Sequence, residues 1–151
     1  MKPSNNCYDL IRQYEGFSAK AYLDPGSGNL PITIGYGSTT KTDGTRFNIG
    51  DTITQPDAEK LLEWEVNNKA TIVSSLLRAT VINQNQFDAL VSFTYNVGTG
   101  NFKSSTLLKK IKINPNDATL LNEFKRWNKA GGKEMDGLTN RRIAEYNLYH
   151  T

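Results

Sequence analysis

Two acids and a hydroxyl stand close together near the start of the chain, in the stretch YEGFSAKAYLDPGSGNLPITIGYG that runs from Tyr14 to Gly37. Glu15 directly precedes Gly16, Asp24 opens an Asp-Pro-Gly-Ser-Gly-Asn turn, and Thr33 is the centre of Ile-Thr-Ile. A carboxyl group at the carbonyl end of a helix sits in a field that opposes ionisation, and partial burial adds to that effect. Both suit a general acid. A second, well-solvated carboxylate opposite it would make the pair of unlike acids that glycoside hydrolysis uses. Each residue also has an ordinary explanation: a solvated glutamate at a helix end, an aspartate in a Pro-Gly turn, a threonine on the outer face of a strand.

The rest of the composition narrows the chemistry. Cys7 is the only cysteine and His150 the only histidine, in a chain of 151 residues. An intrachain disulfide, a cysteine-based metal site and an ordinary Ser-His-Asp triad are therefore not expected, and neither a metal nor a cofactor is. At helical spacing from Leu10 and Ile11, Cys7 reads as a packing residue. Gly98-Thr-Gly-Asn-Phe-Lys-Ser lacks the Gly-Lys-[Ser/Thr] ending of a phosphate loop and follows no expected strand. Lys125, Arg126, Lys129, Lys133, Arg141 and Arg142 form a basic cluster without a nucleic-acid-binding signature. A solvated helical face explains most of it, and no nucleic-acid partner is expected.

The net charge of +3 suits an anionic surface such as a bacterial cell wall, although many small enzymes carry as much. With 37% hydrophobic and 22% charged residues, the chain is too apolar for disorder and too polar for a membrane protein. The N-terminus holds no apolar run of roughly seven residues, so no signal peptide is expected. No stretch approaches the ~18 apolar residues of a membrane span.

The elements that must position these side chains are legible in outline. Ser4–Tyr14 has apolar residues at helical spacing, with Ser4 or Asn5 to cap it and Gly16 to stop it. Ala21–Gly50 is rich in turn residues, with a β-branched run at Ile32–Ile34 and a further candidate strand near Arg46–Ile49, which predicts a two- or three-stranded sheet. From Thr54 the period is helical, with Pro56 in the first turn and a bend expected near Asn67–Asn68. Asn83 caps a segment, Phe87–Val97, that is apolar nearly all round and so predicts a central buried helix. Phe102–Ile113, Asp117–Lys129 and Thr139–Tyr149 predict three more, separated by Asn114-Pro115, Gly131-Gly132 and Gly137. The class is α+β: a small N-terminal antiparallel sheet lobe packed on a mainly helical lobe.

Together these residues resemble the phage-type lysozymes, the glycoside hydrolase family 24 muramidases, and most of all the P22-like lambdoid members. The resemblance runs along nearly the whole chain in three ordered blocks. They are Glu15-Gly16…Asp24…Thr33-Ile34-Gly35-Tyr36-Gly37, the stretch NQNQFDALVSFTYNVGTGNFKSSTLL from Asn83, and RWNKAGGKEMDGLTNRR from Arg126 to Arg142. It implies one lysozyme domain over 1–151, with a β-rich lobe over about 17–53 and a helical lobe over about 54–151 plus the N-terminal helix at about 4–15.

The implied activity is hydrolysis of the β-1,4 bond between N-acetylmuramic acid and N-acetylglucosamine in peptidoglycan. Glu15 would be the general acid, and Asp24 with Thr33 would activate a water on the opposite face. Asn96 would meet substrate amides, and Arg141 would pair with Glu15. The implied enzyme is a monomeric endolysin that waits in the host cytoplasm until a separate holin lets it reach the wall. A lytic transglycosylase, or a non-catalytic wall-binding or virion protein on the same fold, is the alternative. Two departures stand out. The interval from Asp24 to Thr33 is longer than in the members with the shortest loop, and Ser38 occupies a position where many members have histidine.

Overall fold

The computed structural model of the protein describes residues 1–24 and 29–151. The expected turn and the loop extension after Asp24 therefore fall largely outside the described residues. The helix α1 (Asn5–Glu15) buries Cys7 and Ile11 and ends at Gly16, whose N–H donates to the Arg12 carbonyl at 3.0 Å with φ at 68°. That left-handed backbone is cheap for glycine, and it leaves Glu15 as the last helical residue. Ser4 precedes α1 without a side-chain cap. Its amide instead donates to Asp88 Oδ1 at 2.9 Å and its hydroxyl to Asp88 Oδ2, which ties the start of α1 to the central helix.

Two antiparallel strands follow, β1 (Ser18–Asp24) and β2 (Asn29–Gly35), with Tyr22 opposite Thr33 and Leu23 opposite Ile32. A strand over Arg46–Ile49 does not form. Arg46 makes only an isolated bridge to Thr40, and Phe47 packs with Ile34 and Leu61 in a small core beneath the sheet. The segment is used as a plug for that core, which its β-branched and aromatic composition alone does not distinguish from a strand.

The helical part starts with α2 (Gln55–Leu76), capped by Thr54, whose side chain accepts from the Asp57 amide. It runs as one unbroken helix through Asn67–Asn68, where a bend was expected. The central helix α3 (Gln84–Val97) opens with a reciprocal cap: the Gln86 amide donates to Asn83 Oδ1 at 2.8 Å and the Asn83 amide to Gln86 Oε1 at 2.9 Å. Residues Gln86–Thr94 are all buried, because α1, α2 and α7 surround this helix. Phe93 is its anchor, edge-on to Phe102, Phe124 and Trp127 at centroid distances of 6.0, 5.6 and 6.0 Å. Such contacts add about 0.5–1.5 kcal/mol each to area burial.

Three expectations for the C-terminal third change. The predicted helix over Phe102–Ile113 is two, α4 (Thr99–Ser104) and α5 (Thr106–Ile113), because the Ser105 side chain caps the second by accepting from the Leu108 amide at 3.1 Å. The predicted helix over Asp117–Lys129 shortens to α6 (Leu120–Lys125). Beyond it Gly131 and Gly132, both at positive φ, turn a short hairpin of β3 (Lys129–Ala130) and β4 (Lys133–Glu134). The last helix, α7 (Asp136–Tyr149), starts three residues before the predicted Thr139 and takes in Gly137, and it packs on α3, α6 and α1. Among the described residues, no helix is long and apolar enough to cross a membrane.

Candidate active site

A cavity of about 820 Å³ opens between the end of α1, the end of β1, the C-terminal turn of α3 and the hairpin–α7 region. Glu15, Asp24, Asn96, Trp127 and Arg141 are among its lining residues. Four of the five residues singled out in the sequence thus meet in one place. The fifth, Thr33, is not among the lining residues. It lies in β2 at 4% exposure and its hydroxyl donates to the Pro31 carbonyl at 3.2 Å, so it is not a solvent-facing strand threonine.

Glu15 is held from two sides. Arg141 Nη1 donates to its Oε2 at 2.6 Å, and Arg141 is itself buried. On the other side the backbone of Gly37, at φ 83°, lies so close that a β-carbon there would stand 2.9 Å from the Glu15 Cδ and nearer still to Oε1. Only glycine permits that approach at that φ. The turn that carries Gly37 is fixed in its own right. Tyr95 of α3 donates its hydroxyl to the Tyr36 carbonyl at 2.7 Å, and Ile34 and Ser38 exchange both backbone hydrogen bonds at 2.9 Å. Burial pushes the Tyr95 phenol well above its ordinary range, so it remains a donor. Ser38 and Tyr95 both face Glu65 of α2. Burial raises the pKa of that carboxyl group, and the neighbouring Tyr95 and Ser38 hydroxyls pull the other way.

Behind Arg141 lies a charge cluster that sequence reasoning missed. Arg142 and Glu145 are wholly buried, and Arg141 nearly so. Glu145 Oε2 accepts from Ser92 Oγ at 2.7 Å, Arg141 Nε at 3.3 Å and Arg142 Nη2 at 3.4 Å. Its Oε1 lies 2.7 Å from Arg142 Nε, an ion contact whose alignment falls short of a hydrogen bond. Arg142 also covers the Phe93 ring at 5.1 Å and donates from Nη2 to Asn96 Oδ1 at 2.9 Å. With Oδ1 taken up, the side-chain NH2 of exposed Asn96 is what it offers to a ligand. The reading of the C-terminal basic cluster as a solvated face fails for these two arginines, although Arg126, Lys129 and Lys133 are exposed. The Arg-Arg-x-x-Glu spacing puts Glu145 four residues after Arg141 and three after Arg142, within reach of both on one helix face, a signal that was available in the sequence.

Burial pulls the Arg142 pKa down to about 10 and opposes the charge of Arg141. The Glu145 and Glu15 carboxylates hold the Arg141 pKa above its ordinary value. Burial likewise raises the pKa of Glu145. Two guanidinium groups facing two carboxylates leave the cluster near neutrality, which is what makes its burial tolerable. Among the described residues no group of three or more histidine, cysteine or acidic side chains could hold a metal ion. The arrangement offers one carboxyl group anchored by a buried arginine, a second on the facing strand, and room between them for a ligand.

A family model described as phage lysozyme matches residues 12–145. The chain is 43% identical over 143 residues to the endolysin of Bacillus phage B103, covering 95% of this chain and 52% of that protein. It thus spans about half the length of that relative, and the same holds for the endolysin of Bacillus phage PZA. With the endolysin of Salmonella phage P22 the match is nearly end to end, 38% identity over 149 residues and 99% and 98% of the two chains. The solved endolysin from Escherichia coli O157:H7 phage FAHEc1 superposes with a TM-score of 0.84 at 34% identity, covering 99% of this chain and 93% of that one. The α+β fold, the ordered motif blocks and these matches agree, and the chain belongs to the phage lysozyme family.

Proposed function

We propose that the protein is an endolysin that hydrolyses the β-1,4 bond between N-acetylmuramic acid and N-acetylglucosamine in peptidoglycan and so lyses the host cell. The observation that carries this reading is the pairing of Glu15, anchored by Arg141 at 2.6 Å, with Asp24 on the wall of the same cavity. Glu15 gives its proton to the glycosidic oxygen as the bond to the anomeric carbon breaks. The carboxylate that remains is stabilised by Arg141, whose charge is already desolvated and in place. Asp24 accepts a proton from the water that attacks the opposite face, and its charge offsets the oxocarbenium character of the transition state. Thr33 would hold the same water, which requires its hydroxyl to turn from the Pro31 carbonyl. In an inverting enzyme of this kind the two carboxyl groups stand about 6.5–9.5 Å apart, leaving room for that water. The Asn96 NH2 would donate to a substrate acetamido carbonyl, with Trp127 as an apolar wall for a sugar face.

No step of this scheme calls for a metal or cofactor. Residues 1–151 would form one catalytic domain, with the β-rich lobe at about 17–53, active as a monomer. Release from the host cytoplasm to the wall would depend on a holin. Turbidity clearing of permeabilised Gram-negative cells, followed by mass spectrometry of the products, tests the reading. Wild-type protein should clear the suspension and leave reducing ends, and Glu15→Gln should clear it no faster than buffer. Equal clearing by the variant refutes the enzyme, and abundant 1,6-anhydro ends would make it a lytic transglycosylase.

A further inference from the structure

Glu145 takes no part in the reaction just described, yet it is the hub of everything behind the cavity wall. It lies at 0% exposure on α7, and both of its oxygens face guanidinium groups. Those two arginines reach in different directions. Arg141 extends to Glu15, and Arg142 extends to Asn96. We propose that Glu145 is a positioning residue for the hydrolysis, dividing the hold of Arg141 between two carboxylates while it locks Arg142 beneath Asn96.

The physical basis is charge balance in a desolvated cluster. With Glu145 ionised, Arg141 and Arg142 are shared by two carboxylates. With Glu145 neutral, one positive charge is left over beside Glu15 in a medium that screens it poorly. Arg141 then tightens on Glu15 and favours its carboxylate, the form that has no proton to give. Glu145 therefore draws part of the Arg141 charge away from Glu15. Through Arg142 it also fixes which face of the Asn96 amide meets the ligand. Ser92 Oγ, donating from α3 at 2.7 Å, holds the hub against the central helix.

Other titratable groups reach the two acids from the surrounding elements. Glu15 is faced by Glu65 of α2, Tyr95 of α3, Tyr22 of β1 and both arginines of α7. Glu145 is faced by Cys7 of α1, whose thiol is pushed up by burial, and Cys7 in turn faces Asp88 of α3. α6 meets α7 through the Phe124 ring against Tyr146. A substitution at Glu145 changes the field at Cys7 and at the two arginines and leaves Glu65, Tyr95 and Tyr22 in place, so a change in pH behaviour reports the cluster and what touches it.

The inference rests on the proposed role of Glu15, and the experiment separates the two. The pH dependence of clearing is measured for wild type, Glu145→Gln and Arg142→Gln, each at a temperature where near-UV circular dichroism shows it folded. Glu145→Gln removes a negative charge while keeping the shape, and should move the high-pH limb of the profile down by about one unit. Arg142→Gln removes a positive charge and should move the same limb up. It also releases Asn96 and should raise KM. A group with only a structural role would lower Tm and leave both limbs in place. The opposite signs mean that either variant alone decides the matter if the other does not fold. A folded variant whose limb coincides with that of wild type overturns the inference. If Glu15→Gln remains active, the reading of the reaction falls instead.

Discussion

Gly37 offers a direct test of how tightly the fold holds Glu15. An alanine β-carbon at this position would stand 2.9 Å from the Glu15 Cδ and 3.4 Å from its Cγ. Gly44, in a turn of the same lobe, has φ 88° against 83° for Gly37, but nothing lies within 4 Å of a β-carbon built there. Both substitutions carry the left-handed penalty of about 1–2 kcal/mol. For a chain of this length each should therefore lower Tm by roughly 2–8 °C. Only Gly37→Ala must also displace the carboxyl group, by about half an ångström or more to regain ordinary van der Waals distance. Arg141 cannot follow freely, because it is buried and held by Glu145 and the Ser92 carbonyl. Misplacing a reacting group by about 1 Å can cost on the order of 100-fold in rate. Gly37→Ala should thus lose ten- to a hundred-fold, as an order of magnitude, in clearing rate at a temperature where it is folded. Gly44→Ala should keep near wild-type activity with a similar loss of Tm. Equal clearing rates for the two variants would refute the idea that the Gly37 backbone positions Glu15.

Two further predictions concern stability. Asn83→Ala removes one half of the cap on α3 and should lower stability by about 1 kcal/mol with little change in activity. An unchanged Tm would show that the cap contributes nothing. Arg12 holds Glu59 through three close contacts of 3.0, 3.1 and 2.7 Å, and these hydrogen bonds lower the Glu59 pKa. A carboxyl group depressed in the folded state contributes stability above its unfolded pKa of about 4.3, and that stability is lost as pH falls through the folded value. Both side chains are 35% exposed, so the pair is worth at most about 1 kcal/mol. The stability gap between wild type and Glu59→Gln should therefore shrink from pH 6 towards about pH 3, and a constant gap in chemical denaturation would refute the assignment.

Much of the architecture was readable because it depends on local preferences and on the polar–apolar period. α1 stops where Gly16 predicts, and α3 starts at the Asn83 cap and is buried over the apolar stretch that named it. The failures have local causes too. Ser105 interrupts a continuous apolar period by capping a new helix, and Phe47 goes into a core instead of a strand. The Gly131-Gly132 pair was recognised as a break, but whether the flanking residues pair depends on what α7 and α6 bring together.

The site divides along the same line. By itself the sequence determined that any acid chemistry must come from carboxylates, since the chain has one histidine and one cysteine, and the ordered motifs singled out Glu15 and Asp24. The resemblance already paired Arg141 with Glu15, but only the tertiary structure decided that the Gly37 backbone closes on Glu15 from the other side and that Thr33 turns its hydroxyl to the backbone. It also decided that Arg141, Arg142 and Glu145 are buried as one cluster, whose charge Glu15 helps to balance. Residue type and helical period place a charge on a face of a helix. Whether that face meets water or another charge depends on which helix packs against it, and here α3 closes over α7 and excludes the water.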